Sequence, residues 1–384
     1  MTTLDLVYFN AGGGHRAAAD ALHAALAATH PHWQVRRVDL FRVLDPQGQF
    51  RRLTGYEPEA YYNRRLATGL TLGLAQELKV LQAMIRWGHA PMVARLRRHW
   101  QAAAPDAVVS LVPNFNRAIA DGLVAARPGA PFVTVMTDLA DHPPHFWIEP
   151  RHTRDLVCGT DHAVAQAVAH GLPAARVHRV SGMLLRPAFY APHDVDRAAA
   201  RRAVGLDADT PVGVVMFGGH GAAAMKRIAA ALPDRPLILL CGHNQRLADA
   251  LRTLPASAPR VVIGFTPDVA RWMRLGDYFI GKPGPGSLSE AMHCGLPVIV
   301  TRNAWTMPQE RFNTDWVRAQ DVGVVLPGFG AVRDGVAQVL TRLPALRARV
   351  ARMDNRALWE LPPLLERLVA GRADVEPRRP LIQA

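Results

Sequence analysis

Residues 281–297 read Gly281-Lys282-Pro283-Gly284-Pro285-Gly286-Ser287-Leu288-Ser289-Glu290-Ala291-Met292-His293-Cys294-Gly295-Leu296-Pro297. The apolar run Tyr278–Ile280 in front of them reads as a strand. The Gly/Pro-rich turn then leads into a helix expected to begin near Ser287. Gly295 stands where a C-cap glycine belongs, and Pro297–Val300 reads as the next strand. Strand, glycine turn, helix, strand is the unit of a parallel α/β sheet. Free backbone N–H groups at the start of such a helix can hold a pyrophosphate or a ribose oxygen. Glu290, three residues after Ser287, has two readings. It closes a capping box, or it accepts two hydrogen bonds from a ribose diol.

The same rhythm extends outward in both directions. Downstream, Gly323–Leu326 reads as a strand. Upstream, Val212–Phe217, Leu237–Cys241 and Val261–Ile263 do so, with helices between them. Around 186–210 the alternation relaxes into Pro-, Asp- and Arg-rich sequence with a short helix at Asp196–Val204. Before it lies another alternating series: Leu4–Phe9, Gln34–Asp39, Ala107–Val112, Phe132–Met136, Leu156–Cys158 and Val177–Ser181. The expected organisation is two doubly wound, Rossmann-like domains, 1–185 and 211–342, joined by a linker at 186–210. A long helical segment near Leu343–Val369, within 343–371, has room to cross back to the first domain. The polar tail 372–384 is expected to be mobile. Two such halves facing each other make a cleft, because ligands of these sheets bind beyond the carboxyl ends of the strands.

Two further glycine turns face that cleft. Asn10-Ala11-Gly12-Gly13-Gly14-His15 links the first strand to an Ala-rich helix, and Phe217-Gly218-Gly219-His220-Gly221 does the same in the second half. Glycines let the backbone approach a ligand closely, and the helix N-terminus adds donors and a partial positive charge. His15 stands at the mouth of the cleft, and a free imidazole has a pKa of about 6.5, suited to base chemistry near neutral pH. Neither turn is a G-x-G-x-x-G fingerprint, and no GxxxxGK[ST] loop exists in the chain. Past the strand after Gly295 comes Pro308-Gln309-Glu310-Arg311-Phe312-Asn313. There Gln309 and Glu310 sit at a helix start with Asn313 one turn on, placed to grip sugar hydroxyls.

Composition narrows the class. The chain has 384 residues, 49% hydrophobic and 20% charged, which excludes a largely disordered chain. No apolar run reaches the ~18 residues of a membrane span. Asp5 lies inside the first apolar stretch and no basic leader precedes it, so no signal peptide is read there. Three scattered cysteines, Cys158, Cys241 and Cys294, suit a reduced cytosolic protein rather than a disulfide framework or a zinc site. The 45 Lys and Arg against 32 Asp and Glu give a net charge of +13. Such a balance suits an anionic partner. An Arg- and Ala-rich composition of genomic origin explains the total equally well, so local clustering is the better guide. Between Phe50 and Trp100 nine basic side chains meet three acidic ones, with Tyr56, Tyr61, Tyr62, Trp87 and Trp100 among them. That mixture fits the surface of an anionic bilayer, and also single-stranded nucleic acid or a solvated helical face. The Asp-x-Asp pairs Asp194–Asp196 and Asp207–Asp209 fall in the linker and read as surface. His142 and His145 with Asp138 and Asp141 mimic a metal cluster, but Pro143 and Pro144 forbid helical ligand spacing. No metal is expected.

Taken together, these runs resemble a family. The Gly-Gly-Gly-His-Arg-Ala turn (12–17), Pro105-Asp106, Thr137-Asp138-Leu139, Gly182 with Arg186-Pro187, Cys241–Asn244, Gly264-Phe265, Lys282–Pro297 and Gln309–Asn313 together resemble the GT-B glycosyltransferases. The nearest likeness is to the monogalactosyldiacylglycerol synthases and the processive diacylglycerol glucosyltransferases. The likeness implies inverting transfer of a hexose from a UDP-sugar to a lipid hydroxyl such as that of diacylglycerol. It needs no metal or other cofactor, and takes place peripherally on the cytoplasmic face of a membrane. It implies that His15 is the catalytic base or orients the acceptor, beside Gly12, Gly13 and Gly14. Gly264 and Phe265 would hold the uracil, and Gly219, Pro285, Gly286 and Ser287 the diphosphate and ribose. Glu290 would bind the ribose hydroxyls, and Gln309, Glu310 and Asn313 would lie at the hexose. The stretch 50–100 falls where the family meets acceptor and membrane. Pro308 replaces the family's usual glycine before Gln309, and Trp305-Thr306-Met307 precedes it, which leaves the donor sugar open. His142-Pro143-Pro144-His145-Phe146-Trp147 is likewise unusual and leaves the acceptor open. Other readings are a soluble acceptor or a UDP-sugar epimerase on the same fold, and a non-catalytic nucleotide-sugar sensor or RNA-binding protein. No nucleic-acid signature supports the last.

Overall fold

The alternating runs form two parallel sheets of six strands each. The computed structural model describes residues 1–10, 14–48, 52, 74–149, 154–192, 196–219 and 221–371. The first sheet contains β1 (Thr3–Tyr8), β2 (Gln34–Asp39), β3 (Ala107–Ser110), β4 (Phe132–Val135), β5 (Asp155–Cys158) and β6 (Val177–Arg179), in the order β2-β1-β3-β4-β5-β6. The second contains β7 (Gly213–Met216), β8 (Leu237–Leu240), β9 (Arg260–Ile263), β10 (Tyr278–Gly281), β11 (Val298–Thr301) and β12 (Gly323–Leu326), in the order β12-β11-β10-β7-β8-β9. Pairing between neighbouring strands is parallel throughout both sheets. Every expected strand is present, with its ends moved by at most two residues.

Near-continuous apolar strands are what a sheet buried on both faces requires. In the second sheet Val214, Met216, Ile238, Leu240, Phe279, Val298 and Val300 pack into one core. Their chain neighbours Val215, Leu237, Leu239, Tyr278, Ile280 and Ile299 pack into the core on the opposite face. The period of two divides each strand between two helix layers. Leu4, Leu6, Ala107, Val109, Val133 and Val135 against Val7, Val108, Val112 and Phe132 repeat the division in the first sheet. Each fully buried side chain of this size is worth ~1.5–3 kcal/mol.

Strand order reverses at β1 in the first sheet and at β7 in the second, and these switch points open the crevice in which ligands of such sheets bind. The linker is tied down by one carboxylate at the start of β10. Asp277 accepts from Val212 N at 2.7 Å and from Arg197 Nη2 at 2.9 Å, and pairs with Arg201 and Arg347. Asp196 caps the short helix Arg197–Arg202, which is shorter than the expected 196–204.

The expected single helix near 343–369 is two, Leu343–Val350 and Ala357–Ala370. The interruption lies where the chain crosses to the first lobe. Asn355 Nδ2 donates to Met183 O at 2.9 Å, and Glu360 accepts from Ser181 N at 2.7 Å. Beyond it Ala357, Leu361, Leu364 and Leu365 enter the core that also holds Leu22, Leu26 and Trp33.

Candidate active site

The N-terminal face of the crevice is built from the loops after β1, β3 and β4. His15 opens the second position of the helix Gly14–Thr29. Its ring lies against Phe9, centroids 4.6 Å apart, and 5.9 Å from Trp147. Nδ1 is 2.9 Å from Leu111 O and 3.1 Å from Thr137 Oγ1. A carbonyl oxygen only accepts, so Nδ1 carries the proton and Nε2 is left as the basic nitrogen. Burial pushes the imidazole from 6.5 to about 4, against the pull of the Leu111 carbonyl, so at neutral pH the ring is uncharged and able to take a proton. Gly14 has open space around its Cα; Gly12 and Gly13 lie outside the described residues.

Next to Thr137 is Asp138, a residue the sequence reading placed only in the family run and in a discarded metal cluster. It is buried, and its Oδ2 accepts from Trp147 Nε1 at 2.8 Å. Burial pushes its carboxyl up to about 7. The Trp147 hydrogen bond and Lys282 act against that rise, and the charges of Glu310 and Asp141 add to it. Asp141 is spent on backbone amides, accepting from Trp147 N at 2.6 Å and His145 N at 3.0 Å, which folds the loop 137–149 onto itself. Among the described residues no group of three or more His, Cys, Asp or Glu is placed to hold a metal ion.

The C-terminal face is the 281–297 unit and its neighbours. The helix Pro285–His293 starts two residues earlier than expected, with Gly284 as N-cap. Ser287 Oγ donates to Gly284 O at 3.2 Å, so the capping box with Glu290 does not form. Pro285 is partly buried and Gly286 faces open space. Glu290 instead meets Arg186 of the linker, Oε1 to Nη2 at 3.8 Å, and burial pushes its carboxyl up to about 7 despite that guanidinium. Arg186 also donates to Pro267 O at 2.9 Å, in the loop after Gly264 and Phe265. Phe265 is 63% exposed, with its ring stacked on His243 at 4.0 Å. Gly219 is held by the following turn: His243 N donates to Gly219 O at 2.8 Å, and a Cβ on Gly242 would come 2.1 Å from that oxygen. His220 lies outside the described residues.

Two ties fasten the glycine turn to the helix Pro308–Gln320. Lys282 Nζ pairs with Glu310 Oε1 at 2.9 Å, and Asn313 Nδ2 donates to Pro283 O at 2.7 Å. Asn313 Oδ1 is buried with no partner. Gln309, partly buried, reaches the Met307 sulfur at 3.7 Å. The two faces meet. Asp138 feels the charges of Glu310 and Lys282, and Phe312 stacks on His162 and His142 of the first lobe. His15, Thr137 and Asp138 thus face the Lys282, Glu310 and Asn313 group. Gly219, Phe265 and Glu290 lie on the second lobe, Glu290 against the linker Arg186. Lys282, Arg186, His243, Trp147 and Asp138 belong to this arrangement and were not singled out as site residues. Thr137-Asp138-Leu139 and Arg186-Pro187 were the available signals.

Two parallel doubly wound lobes with a crevice at both switch points define the GT-B class. Acinetobacter baumannii MurG superposes with a TM-score of 0.59 at 17% identity, covering 96% of this chain and 100% of that one. Anabaena HepE in complex with UDP gives 0.55 at 14% identity, covering 97% and 100%. Within that class the chain is similar to the monogalactosyldiacylglycerol synthases of plants. It is 30% identical over 261 residues to a probable monogalactosyldiacylglycerol synthase 2 of Oryza sativa subsp. indica, covering 62% of this chain and 54% of that protein. It is 27% identical over 341 residues to a probable synthase of Glycine max, covering 80% and 59%. The chain therefore spans little more than half the length of these relatives. No family model matches it.

Proposed function

We propose that the chain transfers a hexose from a UDP-sugar to a lipid hydroxyl at a membrane surface, with inversion at the anomeric carbon. The observation that carries this reading is His15. Its Nδ1–H is fixed on Leu111 O, its Nε2 has no hydrogen-bond partner among the described residues, and burial keeps it neutral, beside Asp138, which feels the charges of Lys282 and Glu310. In this reading the acceptor oxygen attacks the anomeric carbon and its proton passes to His15 Nε2. The bond from that carbon to the UDP oxygen breaks, and its electron pair leaves with UDP. The leaving charge needs donors. The exposed N–H groups at the start of the helix Pro285–His293 and the Gly219 turn supply them without a metal. Glu290 receives the ribose hydroxyls, Phe265 and Gly264 cover the uracil, and Gln309, Glu310 and Asn313 hold the hexose. The likeness to monogalactosyldiacylglycerol synthases supports a lipid acceptor and the UDP complex of HepE a UDP-sugar donor.

Membrane action draws on a helical pair of the first lobe. The helix Leu74–Trp87 leaves Val80, Met84 and Trp87 exposed, Trp87 at 92%. The adjoining helix His89–Ala103 carries Arg95 and Arg98 beside a cavity of about 420 Å³. An apolar edge next to arginines suits an anionic interface. The basic stretch between 53 and 73 lies outside the described residues. No helix among the described residues is long and apolar enough to cross a membrane. In this reading the chain acts peripherally, on the cytoplasmic face.

The test is a panel of radiolabelled UDP-sugars with a total lipid extract as acceptor, with and without anionic liposomes. Transfer to lipid that needs the liposomes supports the reading. Transfer to a soluble acceptor, or epimerisation without transfer, replaces it. His15→Ala should lower turnover by roughly 10²–10⁴-fold, the usual worth of a general base, and leave UDP binding unchanged. Unaltered turnover would remove His15 from the mechanism.

A further inference from the structure

Phe312 lies in the helix Pro308–Gln320, whose start carries Gln309 and Glu310. At about 100° per residue, Phe312 projects from the side opposite Glu310. Glu310 and Asn313 hold one side of the helix to the turn 282–286 of their own lobe. Phe312 presents the other side to the first lobe. Its ring stacks on His162 with centroids 4.2 Å apart and planes at 21°, and lies 5.7 Å from His142 at 28°. The two imidazoles are themselves 5.9 Å apart at 22°, so three nearly parallel rings from both lobes form one cluster. The helix bearing the proposed hexose contacts is thus fixed from both sides of the crevice.

We infer that Phe312 is a positioning residue: stacked on His162 and His142, it sets the gap between Gln309 and Glu310 on one lobe and His15 and Asp138 on the other. The inference rests on the transfer reaction proposed above. A reaction between groups carried on two lobes depends steeply on that gap, and a misplacement near 1 Å can cost about 10²-fold in rate.

The cluster also gives the gap a dependence on pH. Gln166 is oriented by Asp141, its Oε1 accepting from Asp141 N at 2.8 Å and its Nε2 donating to Asp141 O at 3.2 Å. That orientation turns Nε2 of Gln166, a donor, toward His142 Nε2 at 3.4 Å, so His142 accepts there and is uncharged. Protonating His142 would set donor against donor. Burial lowers the pKa of both imidazoles, and His142 lowers that of His162 further. Asp141 and Asp315 pull His142 the other way, and Asp315 is itself engaged by Arg302 and Arg318. On the helix bearing His162, Asp161 is paired with Arg179. Arg311 beside Phe312 donates to Thr306 O. His145 turns to His170, with centroids 5.1 Å apart. A histidine whose pKa is lowered in the stacked state takes its proton more readily when the stack is open. The stack is therefore intact above about 6.5, the free imidazole value, and weakens as pH falls below it.

The experiment uses the full chain with Phe312→Ala, Phe312→Tyr and His162→Phe. Phe312→Ala should lower kcat roughly ten- to hundredfold with KM for the UDP-sugar within about twofold, and Phe312→Tyr should restore it. His162→Phe keeps a stacked ring and removes one of the stack's two titrating imidazoles. It should match the parent at pH 7.5 and lose much of the fall in kcat between pH 6.5 and 5.5. Small-angle X-ray scattering should show the radius of gyration rising between pH 7.5 and 5.5 in the parent and less in His162→Phe. Equal kcat in Phe312→Ala, or a radius independent of pH in the folded parent, would overturn the inference. The scattering readout needs no turnover, so absence of any transferase activity would defeat the proposed reaction while the positioning stack is judged separately.

Discussion

Three carboxyl groups of this molecule, the buried Asp277 and Asp138 and the half-buried Glu290, are treated in opposite ways. Burial alone would raise Asp277, but the Val212 amide and the guanidinium groups of Arg197 and Arg201 outweigh it and hold the carboxyl below the usual range. Asp138 and Glu290 each have one weak or neutral counterpart, Trp147 and Arg186, and burial carries both up to about 7. A saturated carboxylate is a fastener. It joins the linker helix, the start of β10 and the helix Leu343–Val350 at one point. An under-supplied carboxylate beside a crevice has hydrogen-bonding capacity left for a ligand.

The sharpest way to break the contrast is Asp277→Ala. Arg201, almost wholly buried, would be left without its counter-charge, and such a loss typically costs ~3–5 kcal/mol. Urea unfolding should show it as a large fall in midpoint. The sign with pH follows from the depressed pKa. The stabilisation from Asp277 is present above the unfolded carboxyl value near 3.9 and is lost as pH falls through the folded value. A midpoint close to that of the parent would show that the cluster is not the fastener described.

Much of this was legible in the chain. Short runs of three to six residues, mostly apolar, between helical segments announced two parallel α/β lobes, because strands covered on both faces have no polar side to display. The 281–297 run announced its turn and helix because glycine and proline there act locally. What stayed hidden is long-range. Nothing in the sequence says that Lys282 meets Glu310 rather than a ligand. Nor does it say that Asp138 lies within electrostatic reach of Glu310, or that Phe312 meets His162 from the other lobe. Asp141 stands in a run that only mimics a metal cluster: its partners are backbone amides of Trp147 and His145, which leave no mark in side-chain identity. The capping-box reading of Glu290 failed because Pro285, with its preset φ, starts the helix before Ser287.

Glu290→Gln sharpens the same contrast with a smaller effect. Replacing a charged acceptor by a neutral one should weaken UDP binding roughly tenfold, about 1.4 kcal/mol. Folding should not suffer. The folded pKa lies above the unfolded one, so ionised Glu290 is a net cost to folding at pH 8, and the amide removes it. Calorimetric UDP titration with a melting curve at pH 8 separates the two quantities. Loss of stability with UDP affinity retained would make Glu290 a structural partner of Arg186, of the Asp277 kind.

Asp138→Asn should give the smallest change. Oδ1 of an asparagine can still accept the Trp147 indole N–H, so the loop 137–149 keeps its anchor. What disappears is the charge. In the parent the folded carboxyl binds its proton up to about pH 7 and the unfolded one only to about pH 4, so its contribution to stability falls as pH rises between those values. The asparagine variant should therefore melt with the parent near pH 4 and above it at pH 8. Beside Glu310, a second ionised carboxylate is disfavoured, and the parent's kcat/KM should carry an inflection near pH 7 that the variant lacks. A variant that melts lower than the parent by the same margin at both pH values would place Asp138 with Asp277, among groups whose charge the fold needs.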